Sequence, residues 1–326
     1  MSRIQKQMLC AQPSPPLQYG GIDVSKNQLD GHIHPAGLSL SVRNDSSGIK
    51  QLVRWFGSHS IALVVLEATG KYHRSIHQSL HSKGIGVAVL NPYRSRRFAQ
   101  ALGELAKTDK IDACVLARFA AMVQPEATDP TPKALNNLKE LASARRQIVQ
   151  DITSLRLQKD QAHHVLARKQ IQQRLDLLDK HRKAINQEIL ASIKTDPFFA
   201  NQFQILCSIP GVGPVCAITL IVDMPELGKL NAKEVAALVG VAPMNRDSGT
   251  WRGKRSIRGG RQHVRNALYM AALTVTRETG PLAAFYKRLM EAGKRPKVAL
   301  TAVIRKLAIM LNSLLKENRS WENKMP

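Results

Sequence analysis

YGGIDVSK, residues 19–26, opens with small and apolar residues and places a single carboxylate, Asp23, inside the run. A short stretch rich in Val, Ile and Leu, bounded by turn formers, reads as a β-strand. A lone carboxylate is costly to bury there unless it has a cation partner, and a metal ion would satisfy it. Working outward, residues 38–42, 61–66 and 86–90 repeat the pattern. A helical stretch, 72–82, separates the last two, and a longer one runs from Asn91-Pro92 through Phe119. Strands followed by alternating helix and strand predict a mixed α/β sheet domain.

Three further acids join Asp23. Glu67 closes the strand IALVVLE, and strand ends are where α/β sheets place their ligand-binding groups. Asp109 and Asp112, in KTDKIDACVLARF, are three apart on a predicted helix and share one face. This order suits a two-metal phosphodiester site in which hard oxygen ligands hold Mg²⁺ and the ions stabilise the attacking and leaving oxygens. The bland alternative is four solvated acids or helix caps, and for Asp109, directly after Thr108, capping is a strong competitor. His73, His77 and His81 recur at four-residue spacing. Imidazole is an unnatural partner for Mg²⁺, so they read as a solvated or phosphate-facing stripe. His32 and His34 read as surface strand residues.

The chain has 326 residues, with 48 Lys and Arg against 24 Asp and Glu, a net charge of +24 and 44% apolar residues. That length predicts two or three domains, and the apolar share excludes a disordered basic tail. The charge calls for a polyanionic partner. Residues 1–130 carry 15 basic and 9 acidic side chains, the remainder 33 and 15, so the second part should hold most of it. The longest apolar runs, such as 61–66 and 215–222, fall short of a membrane span. Residues 1–18 have no apolar signal core and read as a frayed leader. Cysteines at 10, 114, 207 and 216 form no CxxC pair, and a reducing, cytoplasmic setting is expected.

Residues 124–132, QPEATDPTP, mark a boundary. From 133 to 194 there is neither Pro nor Gly, and apolar residues recur at helical spacing, predicting two long helices that break near residues 163–169. Such a coiled-coil arm suits oligomer contact or nucleic-acid spanning. The expected division is 1–18 leader, 19–130 sheet domain, 131–195 helical arm and 196–326 helical carboxy-terminal domain.

In ILCSIPGVGPVCAITLIV, residues 205–222, Gly211 and Gly213 permit a tight turn that exposes N–H groups at a helix start, resembling the helix-hairpin-helix motif that grips DNA backbones. A plain turn between core helices is the alternative. Further on, Arg246, Arg252, Lys254, Arg255, Arg258, Arg261 and Arg265 crowd twenty residues that hold one acid, Asp247, and four Gly. A solvated charge run is the ordinary reading. Here, however, the cations flank Asp247-Ser248-Gly249, which sets a hydroxyl nucleophile in a loop suited to a phosphate, where Arg would neutralise developing charge. His263 lies near in sequence as a helper. Ser256 is a rival nucleophile, and Tyr269 is disfavoured because NALYMAAL reads as a buried helix.

GIDVSK, LEATGKYHR, NPYRSRRFAQ, KTDKIDA, SIPGVGPVCA, LVGVAPMNRDSGTWRGK and RNALYMAAL occur in this order. As a set they resemble the transposases of the insertion-sequence-110 group, including its IS-eleven-eleven branch, from about Tyr19 to Leu315. The resemblance implies a RuvC-like, ribonuclease-H-type first domain, a coiled-coil middle and a serine transposase domain. It assigns the DEDD acids to Asp23, Glu67, Asp109 and Asp112 and the nucleophile to Ser248. It further implies donor and target DNA and a non-coding bridge RNA, while the helical arm favours a homo-oligomer, dimer or tetramer. A Holliday-junction resolvase or nuclease using water, and a non-catalytic nucleic-acid scaffold, are the competing readings.

Overall fold

The computed structural model describes residues 17–104, 109–245, 247–253 and 255–322, with the side chains of 109 and 110 outside the description. Most of the leader expected over 1–18 therefore lies outside the described residues. Contacts gather the chain into two compact units, through residue 131 and from residue 132.

The first unit is a five-stranded mixed sheet. Strands β1 (Gln18–Val24), β2 (Gln28–His34) and β3 (Leu38–Arg43) form an antiparallel meander, then helix α1 (Ser46–Gly57) leads to β4 (Ile61–Glu67). Helix α2 (Arg74–His81), β5 (Val87–Leu90), α3 (Pro92–Ala101) and α4 (Asp109–Val123) follow. The order is β3-β2-β1-β4-β5, with β4 parallel to both β1 and β5, and the domain is of the ribonuclease-H type. Side chains alternate between faces along each strand. Ile22, Val24, Leu29, Ile33, Val64 and Leu66 pack against α1 and α2 on one face. Tyr19, Val65, Ala88 and Leu90 meet Leu116, Phe119 and Ala120 of α4 on the other.

Two differences from the sequence reading have local causes. The single helix expected from residue 92 through 119 is two, because α3 ends before Gly103 at φ 77° and α4 starts afresh at Asp109. Apolar-run reading also misses α1 and, although His32 and His34 read as strand residues, the extent of β2. Only Leu29 and Ile33 are large and apolar in β2, whereas α1 is started by a cap, Asp45 Oδ1 accepting from the Ser47 and Gly48 amides.

In the second unit, α5 (Lys133–Gln161) and α6 (Val165–Thr195) are the two long helices of the arm. The break falls at residues 162–164, slightly ahead of the expected place, where His164 Nδ1 accepts from the Leu166 amide. Cross-links from Arg145 to Asn186 and from Lys159 to Gln172 show that the helices run antiparallel. Helices α7 (Pro197–Cys207), α8 (Pro214–Asp223) and α9 (Ala232–Val239) precede four two-residue strands: β6 (Pro243–Met244), β7 (Asp247–Ser248), β8 (Trp251–Arg252) and β9 (Ser256–Ile257). The chain continues through α10 (Gln262–Val275), α11 (Pro281–Glu291) and α12 (Pro296–Lys316). Helix α12 is long and apolar enough to cross a bilayer. Its Leu300, Val303, Ile304, Leu307 and Leu311 are instead consumed by the core shared with α8, α9 and α10.

Candidate active site

Strand register assembles the first set of residues. Ile22 of β1 lies beside Leu66 of parallel β4, so the next residues, Asp23 and Glu67, leave neighbouring strands at the same level and on the same face. That is the α4 face. Gly21 shows how close the helix comes: an added Cβ would sit 2.1 Å from the Ala113 carbonyl oxygen and 2.3 Å from the Ala117 amide nitrogen. At the far end, Gln124 Nε2 donates to the Tyr19 hydroxyl. Helix α4 therefore runs antiparallel to β1, and its Asp112 end overlies the carboxyl ends of β1 and β4. Asp109 begins this helix, with its carboxylate outside the described side chains.

Two polar residues that apolar patterning did not reveal complete this end of the sheet. Ser95 of α3 is buried, and its hydroxyl donates to Glu67 Oε1. Asp30 of β2, also buried, pairs with Asp23 across the antiparallel ladder. Like charges directly opposite repel. Asp30 is held by donors instead, both its oxygens accepting from Gln28 Nε2 and one from the Ser41 hydroxyl. Its position in the alternation QLDGHIH, on the face opposite Leu29 and Ile33, is the signal that could have found it; nothing in NPYRSRRF singles out Ser95.

Among the described residues no three His, Cys, Asp or Glu side chains already stand as a metal-holding group. The donor set nonetheless fits a hard divalent cation: carboxylates on adjacent strand ends and a helix, with no thiol or imidazole among the four acids. The histidine stripe serves another purpose. His77 is buried and bonds the Thr128 carbonyl oxygen through Nε2 at 2.7 Å. Burial, above all, lowers its pKa, with His81 adding to the effect against the Thr128 bond and Asp129. His81 in turn lies 3.5 Å from Asp129. The expectation of a solvated stripe fails at His77, which pins the chain after α4 to the sheet domain.

In the second unit, Gly211 has φ 81° and an added Cβ would meet Val275 Cγ2 at 2.5 Å, so it lets the α7–α8 turn press against α10. Gly213 is the N-cap of α8 and open to space, with Pro214 following at the first helical position. Gly211 is therefore a packing position, while Gly213 is exposed at the start of α8.

The basic segment after α9 is a narrow ribbon. β6 pairs with β9 at its base, and β7 pairs with β8 at its tip through Ser248↔Trp251 and Asp247↔Arg252. Gly249, at φ 56°, makes the tip turn. Ser248 is exposed beside that turn, while Ser256, also exposed, is at the base opposite Met244. Asp247 lies 3.6 Å from Arg252 and 4.0 Å from Arg255. Arg246 and Lys254 lie outside the described residues. The remaining arginines divide by environment. Arg252, Arg255 and Arg258 are exposed. Arg261 forks onto Glu226 at 2.6 and 2.7 Å and reaches the Asp223 carbonyl oxygen. The Glu226 hydrogen bonds raise the Arg261 pKa against the opposing effect of burial. Arg265 donates to the carbonyl oxygens of Val239 and Gly259. Tyr269 is partly buried against the core.

A family model described as "Transposase", the DEDD domain of the IS110 type, matches residues 20–171, and one described as "Transposase IS116/IS110/IS902 family" matches residues 203–287. The chain is 27% identical over 321 residues to the "Pilin gene-inverting protein" of Moraxella bovis, covering 94% of this chain and 98% of the relative. The protein of the same name from Moraxella lacunata matches equally. The "Insertion element IS110 uncharacterized 43.6 kDa protein" of Streptomyces coelicolor is 27% identical over 154 residues, 47% of this chain and 37% of that protein.

Proposed function

Since the chain belongs to the IS110 family of transposases, enzymes that cleave and rejoin DNA, we propose that it recombines DNA through a covalent phosphoserine link made by Ser248. The observation that carries this reading is the ribbon tip: an exposed serine beside a glycine turn, on a ribbon whose Arg252, Arg255 and Arg258 are exposed as well. Ser248 Oγ loses its proton and forms a bond to phosphorus as the phosphorus–oxygen bond to the sugar breaks, and the departing sugar oxygen takes up one proton, so that the exchange is balanced. The link conserves the phosphodiester, so attack by a second sugar hydroxyl rejoins the strand and returns the serine. Arginine fits the developing negative charge because its planar fork matches two phosphate oxygens.

The acids of the sheet domain belong to the same reaction. A divalent cation, Mg²⁺ in this proposal, would be held by Asp23, Glu67, Asp109 and Asp112 and would supply charge stabilisation at the scissile phosphate. The Ser95 hydroxyl orients Glu67, while Gln28 and Ser41 keep Asp30 out of its neighbour's way. Donor and target DNA, a bridge RNA and assembly through the α5–α6 arm complete the proposal; the charge of +24 is consistent with two polyanionic partners. Two relatives are called pilin gene-inverting proteins, which favours an inversion or insertion reaction over simple cutting.

Denaturing electrophoresis of labelled donor DNA, incubated with protein, Mg²⁺ and RNA transcribed from the flanking non-coding region, tests the mechanism. Wild-type protein and Ser256→Ala should give a denaturation-resistant adduct, and Ser248→Ala none. An adduct mapped to Ser256 or Tyr269 would overturn the assignment and leave the acidic site with water as nucleophile.

A further inference from the structure

The ribbon tip carries an apolar side chain that neither the fold nor the serine chemistry uses. Trp251 is 62% exposed, and Met244 and Ile257 of the same ribbon are exposed too. Residues directly opposite in an antiparallel pair share a face, with Cβ atoms about 4.5–5.5 Å apart. The Ser248↔Trp251 pair thus sets the indole beside the serine hydroxyl on one face of the hairpin, and Asp247 and Arg252 occupy the other. A strand whose phosphate reaches Ser248 brings an adjoining nucleotide over the indole. The arginines at 252, 255 and 258 choose the class of partner, a polyanion, and the aromatic face chooses the part of it: a base with an exposed π-face. Bases inside a continuous duplex are covered on both sides by their neighbours and have no such face to offer.

We infer that Trp251 is a stacking platform for an unpaired DNA base next to the phosphate held at the hairpin tip. The inference rests on the proposed function for the position of that phosphate and adds to it the state of the DNA: a strand opened or distorted at the crossover. Trp251 acts as a binding and specificity residue. The positive charge of the ribbon attracts the backbone without reading sequence, and the indole selects for an unstacked base of any identity.

The test uses the full-length protein and two labelled DNA duplexes of equal length, one fully paired and one with a single unpaired 2-aminopurine. Affinity is read by fluorescence anisotropy and stacking by the quenching of 2-aminopurine. Wild-type protein should prefer the bulged duplex roughly tenfold and quench its probe. Trp251→Ala should lose both effects, and Trp251→Phe should retain most of each because a phenyl ring still offers a face. Equal binding of the two duplexes by wild-type protein would overturn the inference. So would a preference that survives in Trp251→Ala, or one seen only when the bulge is built into an RNA duplex. No cleavage enters these readings. An adduct surviving in Ser248→Ala would therefore sink the serine assignment alone, and loss of the bulge preference would sink the stacking platform alone.

Discussion

Glu67 ends its strand half-buried, and the group that decides where its carboxylate points is the Ser95 hydroxyl. Removing the donor leaves the acceptor short of one bond, a loss of about 1 kcal/mol in net terms. Ser95→Ala should slow metal-dependent strand cleavage by roughly fivefold, with Ser95→Thr restoring most of the rate. An unchanged rate in the alanine variant would mean that Glu67 is held by other means. Asp23→Asn and Asp112→Asn remove charge from the proposed ligand set itself. Both should abolish cleavage while leaving the circular dichroism spectrum and DNA affinity close to wild type. Asp109 has a second role open to it at the start of α4, where loss of a cap costs about 0.5–2 kcal/mol. Comparing Asp109→Ala, which removes both the cap and the charge, with Asp109→Asn, which keeps a cap and removes only the charge, by thermal midpoint and cleavage rate separates the two roles.

Among the elements, the α7–α8 turn has the least tolerance. Gly211 combines a left-handed backbone with contact distance to α10. Gly211→Ala should destabilise the second unit by about 1–3 kcal/mol, through backbone strain and displaced packing, as read by urea denaturation. Gly213→Ala, at an open cap, should change stability far less and act instead on DNA affinity. The segment after α4 gives a pH-dependent counterpart. Burial depresses the His77 pKa below its ordinary value, so the unfolded chain binds the proton more readily than the folded one. The resulting stability is present above the ordinary histidine pKa of 6.5 and is lost as pH falls through the depressed folded value. Between pH 7.5 and 5 the stability of wild-type protein should fall, and His77→Gln should flatten that part of the profile. Urea midpoints across the range provide the check.

For the whole chain, charge is the property that organises behaviour. The basic excess lies mostly beyond residue 130, and within it Arg261 and Arg265 serve the fold while Arg252, Arg255 and Arg258 face solvent. A fragment of residues 132–326 should bind duplex DNA with affinity that falls by about 0.9 log unit per log unit of salt for each phosphate neutralised. The fragment through residue 131 should bind far more weakly. Titrations at several salt concentrations decide the matter: equal, salt-insensitive binding by the two fragments would contradict the assignment of the partner to the second unit.

Much of this was legible along the chain because the signals are local. Apolar runs closed by Gly, Asn or Pro announce β1, β4 and β5, and with them Asp23 within a strand and Glu67 at a strand end. The absence of Pro and Gly from 133 to 194 announces the arm, whereas the serine among arginines reads as a loop and only the structure pairs it into a ribbon. Each signal is complete within a few residues, since strand alternation, helical spacing and turn chemistry all act at short range. Folding alone decided partners far apart in sequence. Ser95 meets Glu67 across 28 positions, Arg261 meets Glu226 across 35, and His77 meets Thr128 across 51. In sequence Arg261 looks like Arg258; what separates them is the carboxylate that α8 and its following turn bring within reach of one and not the other. The pairing of Ser248 with Trp251 on one face is likewise a matter of register, because sliding one strand by a single residue would send the indole to the opposite side of the hairpin.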